Sequence, residues 1–426
     1  MPVSDSISNG MTDVIHTDLI EVSQIPLALY IHIPWCVKKC PYCDFNSHEL
    51  ANDSPLSMYE DYVDALLADA KMQRALMQGR QIGSVFIGGG TPSLLPIAQY
   101  QRLFKGLRHC FDFADDVEVT MEANPGTLEH APFSEYLAVG INRLSIGVQS
   151  FAADKLQTLG RIHDPKQAMS AIKSARAAGF ERVNVDLMHG LPQQTLDEAL
   201  YDIQTAHDSG ATHLSWYQLT IEPNTVFYRN QPVLPDEDRL ADIELAGQDL
   251  LQRLGYDNYE VSAWAGRSDV PCRHNINYWQ FGDYLAIGAG AHGKVTLDKS
   301  ILNKNASNTA DSGVWLDSED PVIGIYRFSK SRLPKDYMSY QYAPKMIGWR
   351  HIAPDELVSE FMLNGLRIHE GVTWTLFEQR TGLSREHITT QVQALVSRGL
   401  LMDSAERLKP TALGRRYLNQ ILQPFL

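Results

Sequence analysis

The sequence predicts an α/β protein: a partial (β/α) TIM-like barrel of about six parallel strands, then a smaller, mostly helical, winged-helix-like C-terminal domain. Three observations predict it. Apolar runs of strand length alternate with amphipathic helical stretches from Leu27 to Ile221, the pattern of right-handed βαβ units. Residues able to do chemistry recur at the C-terminal ends of those runs, where barrel active sites are built. After about Pro354 the pattern changes to helix, helix, short β wing, helix.

The strand candidates, in order, are Leu27–Pro34, Ser84–Gly90, Val117–Asn124, Arg143–Ser150, Arg182–Gly190 and His213–Ile221. Helical patterns such as Met58–Met77 and Lys166–Ala178 fill the gaps, and Tyr259–Trp264 is a candidate seventh strand. Asp298–Asp320 is rich in Asn, Ser and Asp and reads as a loop. The expected organisation is a flexible tail over 1–26, a main domain over 27–297, a linker over 298–353 and a C-terminal domain over 354–426. In the last of these, Thr373–Thr381, Arg385–Gly399, Leu408–Thr411 and Gly414–Leu422 give the helix, helix, wing and helix.

With 426 residues and 44% hydrophobic content, the chain has material for one large core and a smaller one. A formal net charge of −14 disfavours nucleic acid as a partner, because sequence-independent binding needs basic patches. Lys and Arg are not concentrated in the winged-helix-like end, which therefore reads as a packing module. No run of 18 uncharged apolar residues exists. The first 26 residues hold Asp5, Asp13, Asp18 and Glu21 and no Lys or Arg, unlike a secretory or mitochondrial leader. A soluble, cytoplasmic protein is expected. Its five cysteines are few and odd in number, which points to metal or redox chemistry before a disulfide framework.

Three of them form Cys36-Val-Lys-Lys-Cys40-Pro-Tyr-Cys43, directly after the first strand candidate. Iron–sulfur clusters are held by thiolates, normally four. Three thiolates on a 4Fe–4S cluster leave one iron open to the amino and carboxylate groups of S-adenosylmethionine. A Cys3His zinc site using His32 or His48 fits badly, since structural zinc favours cysteine pairs separated by a longer spacer. Further motifs close the later strands. Gly88-Gly-Gly-Thr91-Pro92 brings backbone close to a ligand. Glu122, Gln149, Arg161 and Asp186 offer carboxylates, an amide and a guanidinium suited to ribose hydroxyls, an ammonium and a carboxylate.

On these motifs the chain resembles the radical S-adenosylmethionine superfamily, specifically the group of oxygen-independent coproporphyrinogen III oxidase and its heme-chaperone relatives. The resemblance runs from about Leu27 to Lys294, with a weaker C-terminal match. It implies that Cys36, Cys40 and Cys43 hold the cluster and that Gly89, Gly90 and Thr91 bind the methionine part of the cofactor. It also implies that Tyr30, Tyr42, Glu122, Gln149, Arg161 and Asp186 line the cofactor pocket.

Two features choose between branches of that group. The oxidases continue the cysteine motif with a further cysteine two residues on, where this chain has Phe45, and they carry a longer segment ahead of it than the 35 residues before Cys36. Both departures argue against coproporphyrinogen decarboxylation. His274-Asn-Ile-Asn-Tyr278-Trp279 looks like the His-Asn-x-x-Tyr-Trp motif of the heme-chaperone branch. That resemblance implies heme binding at His274, with Cys272 as an alternative thiolate ligand. The expected partners are heme and heme-requiring acceptor proteins, such as respiratory-chain components. A porphyrinogen oxidase, or a binding module working through the winged-helix-like end, are the alternatives.

Overall fold

The computed structural model describes residues 15–51, 55–127, 131–304, 321–339 and 348–426. The first 14 residues of the expected tail and most of the loop expected over Asp298–Asp320 lie outside these. Residues 15–26, read as tail, are packed: Ile20, Val22 and Ile25 form a small buried cluster with Ile15 and Ile323 beside it.

Six parallel strands carry the site: β1 Leu27–Ile33, β2 Ile82–Gly89, β3 Phe113–Ala123, β4 Arg143–Gln149, β5 Arg182–His189 and β6 His213–Gln218. They pair in chain order, each parallel to the next. All six fall on the sequence candidates, the largest difference being the earlier start of β3. Near-continuous burial along β1 and β4 is the signature of parallel strands covered on both faces.

The seventh strand differs from expectation. In place of Tyr259–Trp264 there is a hairpin, β7 Tyr256–Asn258 and β8 Ala263–Gly266, with β8 antiparallel to β6 and Trp264 opposite Leu214. On the other side, β9 Asp283–Ile287 pairs parallel to β1, and β10 His292–Asp298, β11 Ile323–Ser329 and β12 Arg350–His351 continue antiparallel. β11 and β12 come from the stretch read as linker. These twelve strands make one sheet with two ends, so its parallel strands form an arc of an open barrel.

Helices α1 Ser57–Gln73, α2 Ile97–Cys110, α3 Pro165–Ala177, α4 Leu196–Asp208 and α5 Glu237–Arg253 cover the outer face. Local chemistry sets their starts. Asp164 and Thr195 close capping boxes with Gln167 and Glu198, and Asp236 caps α5. The expected helix Met58–Met77 ends as a 3-10 turn, Arg74–Met77, stopped by Gln78 at φ 49°. α6 Arg273–Trp279 follows the hairpin.

The C-terminal region holds α7 Pro354–Gly365, α8 Trp374–Thr381 and α9 Thr389–Ser397, then two short helices, Ala412–Arg416 and Leu418–Leu422. Val372–Thr373 and Arg407–Leu408 pair antiparallel as the wing. Its own core docks on the main domain through Phe281, which meets Phe361 edge-on at 5.8 Å. No helix among the described residues is long and apolar enough to cross a membrane.

Candidate functional site

The cysteine loop leaves β1 and is tied at both ends. Trp35–Cys36 pairs parallel with His48–Glu49, and the amides of His48 and Leu50 donate to the carbonyls of Pro34 and Cys36. Inside the loop, the Cys43 amide donates to Cys40 O at 3.1 Å, and Lys39 Nζ donates to the carbonyls of Phe45 and Ser47. The loop beyond β2 is sewn to the same place. Gly90 N donates to Ile33 O at 2.8 Å and Thr91 N to Trp35 O at 2.7 Å. The glycines are required by this closeness. A Cβ on Gly89, at φ +115°, would stand 2.5 Å from the His32 ring, and one on Gly90 2.5 Å from Trp35 O.

Cys36, Cys40 and Cys43 line one cavity of about 410 Å³ at the C-terminal ends of the strands. None of the three is in a disulfide. Thr91 Oγ1 donates to Cys36 Sγ at 3.5 Å, and Arg161 Nη1 donates to Cys40 Sγ at 3.5 Å. Burial pushes the Cys36 and Cys43 thiols up, against hydrogen bonds from Thr91 to the first and from Phe45 and Ser47 to the second. A metal ion held by these thiols would have to displace their protons. Among the described residues, no three His, Cys, Asp or Glu groups converge as they would on a single ion.

The same cavity is lined by Tyr42, Gly89, Gly90, Thr91, Glu122, Gln149, Arg161 and Asp186. Each has a structural reason to be there. Glu122 accepts from Gly89 N at 3.1 Å, and a Cβ on Gly88 would crowd its carboxyl. Gln149 ends β4 at φ 74°, just after a register shift, an irregularity that re-aims a strand-end side chain. Tyr217 Oη donates to Gln149 Oε1 at 2.8 Å. Arg161 reaches Asn124 Oδ1 and Gly147 O. Asp186 accepts from Asn184 at 2.7 Å and Ser145 at 3.1 Å. Burial, then the nearby Asp186 carboxyl, pushes Glu122 up to about 8. Burial also raises Asp186, against its hydroxyl and amide donors.

Tyr30 lies elsewhere. Along β1 it shares a face with His32, to whose Nδ1 it is hydrogen-bonded at 2.9 Å. Both line a second cavity of about 630 Å³ together with His274 and Tyr278, a size common for small-ligand sites, about 300–1,000 Å³. His274 stacks on Phe86 at 4.8 Å. Burial holds its imidazole down at about 4, Arg143 lowering it further and Glu118 opposing, so at neutral pH the ring is uncharged. Its Nδ1 is buried without a hydrogen-bond partner. Trp279 turns away and packs with the C-terminal core, under Arg367 at 5.3 Å. Cys272 lines neither cavity; it is buried, its Sγ 3.4 Å from Glu118 Oε1, and burial pushes its thiol up to about 11.

Gly89, Glu122 and Phe45 line both cavities. Some lining residues escaped the sequence reading. Asn124, Ser145 and Tyr217 sit on strand ends already marked there and were within reach of the same argument. His292 opens β10, within the stretch Phe281–Gly293 that continues the family resemblance, whereas Lys330 and Arg332 come from the exit of β11, for which no signal was read.

Comparison with known proteins accords with this geometry. Residues 30–206 match the model of the radical SAM superfamily, and residues 352–417 that of the HemN C-terminal domain. The fold is similar to that of the radical SAM enzyme coproporphyrinogen III oxidase (HemN) from Escherichia coli, with a TM-score of 0.75 at 22% identity over 96% of this chain and 91% of that one. A protein of Haemophilus influenzae named heme chaperone HemW is 44% identical, covering 94% of this chain and 98% of its own length. The Escherichia coli protein of the same name is 45% identical with the same coverage. Similarity at this level along nearly the whole of both chains means that the chain belongs to the HemW family of the radical SAM superfamily.

Proposed function

We propose that the protein is a heme chaperone of the radical SAM type, which binds heme and passes it to heme-requiring acceptor proteins. The observation that carries this is the pair of adjacent cavities. One is walled by three thiols and polar strand ends, the other by aromatic rings and His274, and they share Gly89, Glu122 and Phe45. In this reading Cys36, Cys40 and Cys43 hold a 4Fe–4S cluster, S-adenosylmethionine occupies the first cavity, and heme sits in the second with His274 as its protein ligand.

The donor set fits the cluster: three thiols free of disulfides line one cavity, and two of them accept charge-stabilising hydrogen bonds. When bound, such a cluster offers an open iron to S-adenosylmethionine and supplies electrons at low potential. The chain's own residues do the rest. Gly89 and Gly90 let the backbone come close, Arg161 and Thr91 stabilise thiolate charge, and Glu122 and Asp186 meet positive charge and hydroxyls. Phe45, 60% exposed, stands where the oxidases of this group have a further cysteine, which favours a carrier over porphyrinogen oxidation. The test is to mix reconstituted protein with heme and, separately, with coproporphyrinogen III in the presence of S-adenosylmethionine and a low-potential reductant. Heme binding without a decarboxylated porphyrin product is expected, and formation of that product would return the protein to the oxidases.

Glu122 gives a second test. With its carboxyl held near 8, it is mostly protonated at pH 7, and a cation seated beside it drives the proton off. S-adenosylmethionine binding is expected to release protons at pH 7 and to tighten as pH rises toward 8. Glu122→Gln should reduce the release and weaken binding by about tenfold or more, the worth of a hydrogen bond to a charged group, while the cluster still assembles. Calorimetry in buffers of different ionisation enthalpy reads this directly. Equal affinity and equal proton release in wild type and variant would remove Glu122 from the cofactor's contacts.

A further inference from the structure

We propose that Arg332 anchors an acidic side group of the porphyrin in the second cavity, so that this site selects tetrapyrroles carrying carboxylates. The inference rests on the heme reading above and adds to it the part of the ligand that the mouth recognises.

β10 and the exit of β11 bring His292, Lys330 and Arg332 to this cavity, and Arg327 lies close by on β11. Lys330 is consumed internally. It is 4% exposed, and its Nζ pairs with Asp69 at 2.7 Å, a carboxylate that also accepts from Tyr337 and Gln73. Arg327 is consumed by Glu360. Arg332 is exposed, and among the described residues no acidic group pairs with it. The one carboxyl among the lining residues, Glu122, is held on the inner wall by Gly89 N.

Its main chain is nevertheless fixed. The Arg332 carbonyl accepts from Asn46 Nδ2 at 2.8 Å and His48 Nε2 at 3.2 Å. Asn46 also donates to Ala289 O at 3.0 Å, and its own carbonyl is hydrogen-bonded to His32 Nε2 at 2.9 Å. The position of Arg332 is thus set by the loop that follows Cys43, while its guanidinium is left uncommitted. In a chain of net charge −14, a cation without a partner beside an aromatic-walled cavity matches a ligand with an apolar face and an anionic edge. Heme is such a ligand: its iron addresses His274, its ring the aromatic walls, and its carboxylates the cation at the mouth.

The experiment titrates the full chain with heme and with heme dimethyl ester, in which both carboxylates are blocked. The proteins are wild type, Arg332→Ala, Arg332→Lys and His274→Ala. Arg332→Ala is expected to weaken heme about threefold to fivefold, the scale of an exposed ion pair, and to leave the ester unchanged. Arg332→Lys should fall between, and His274→Ala should weaken both ligands. Undiminished heme affinity in Arg332→Ala, or an equal loss for heme and ester, overturns the anchor while leaving heme binding at His274 intact. Failure of wild type to bind either ligand overturns the heme reading and the anchor together.

Discussion

Cys36→Ala, Cys40→Ala and Cys43→Ala are each expected to assemble no stable four-iron cluster, whereas Cys110→Ala and Cys272→Ser keep the full complement of iron. The three thiols share one cavity and have no fourth cysteine beside them that could substitute. Cys110 ends α2, and Cys272 is sealed against Glu118, so neither can reach. Removing one of three thiolates from a cluster that already lacks a fourth protein ligand leaves two irons without protein support. Anaerobic reconstitution followed by iron and sulfide analysis reads the result. Four irons per chain in Cys36→Ala would contradict the assignment.

The largest expected effect on folding comes from Asp283, far from the thiols. It opens β9, is completely buried, and pairs with Arg80 at 2.7 Å and Lys294 at 2.9 Å. Thr296 adds its amide and hydroxyl to the same carboxylate. Removing the acid strands two buried cations, and breaking such a pair costs about 3–5 kcal/mol. Asp283→Ala should lose stability on that scale in urea unfolding at neutral pH. The carboxylate is also a pH handle. Burial pushes it up, but Lys294 and Arg80 outweigh burial and hold it at about 2. A folded-state value below the unfolded one, about 3.9 for Asp, stabilises the fold above that unfolded value. The contribution is lost as pH falls through about 2. Wild type should therefore lose stability between about pH 4 and pH 2, and Asp283→Asn, equal in shape, should lose less over that interval. Equal unfolding midpoints for wild type and Asp283→Ala at pH 7 would refute the role.

Much of this protein was legible in its sequence because apolar residues recur at strand spacing in short runs between helical stretches. β4, Arg-Leu-Ser-Ile-Gly-Val-Gln, sets Leu144, Ile146 and Val148 at alternate positions, and the structure buries all seven residues. The strand ends were legible because glycines and isolated polar residues interrupt those runs where the chain turns toward the cavity. The outer strands were not legible. β11, Ile-Gly-Ile-Tyr-Arg-Phe-Ser, sits just beyond a polar stretch that reads as linker, and β9 is short and continues straight into Gly288. Their antiparallel pairing on the far side of β1 is a tertiary decision with no local period to announce it. Tyr30 illustrates the same limit within the site. Its place on β1 was evident, but which of two cavities that face of the strand meets depends on His274, more than two hundred residues away. The residues at the mouth of the second cavity were missed together with the strands that carry them.

The central claim is that heme binds in the second cavity, on His274, separately from the thiols of the first. Titrating wild type, His274→Ala and Cys272→Ser with heme, read by the Soret band alongside iron–sulfur content, tests it most directly. Wild type and Cys272→Ser should give the same spectrum and affinity. His274→Ala should bind more weakly with a shifted Soret band, the aromatic walls retaining part of the affinity, and all three should carry the same cluster. A normal spectrum and affinity in His274→Ala with loss only in Cys272→Ser, or no binding by wild type at all, would contradict it.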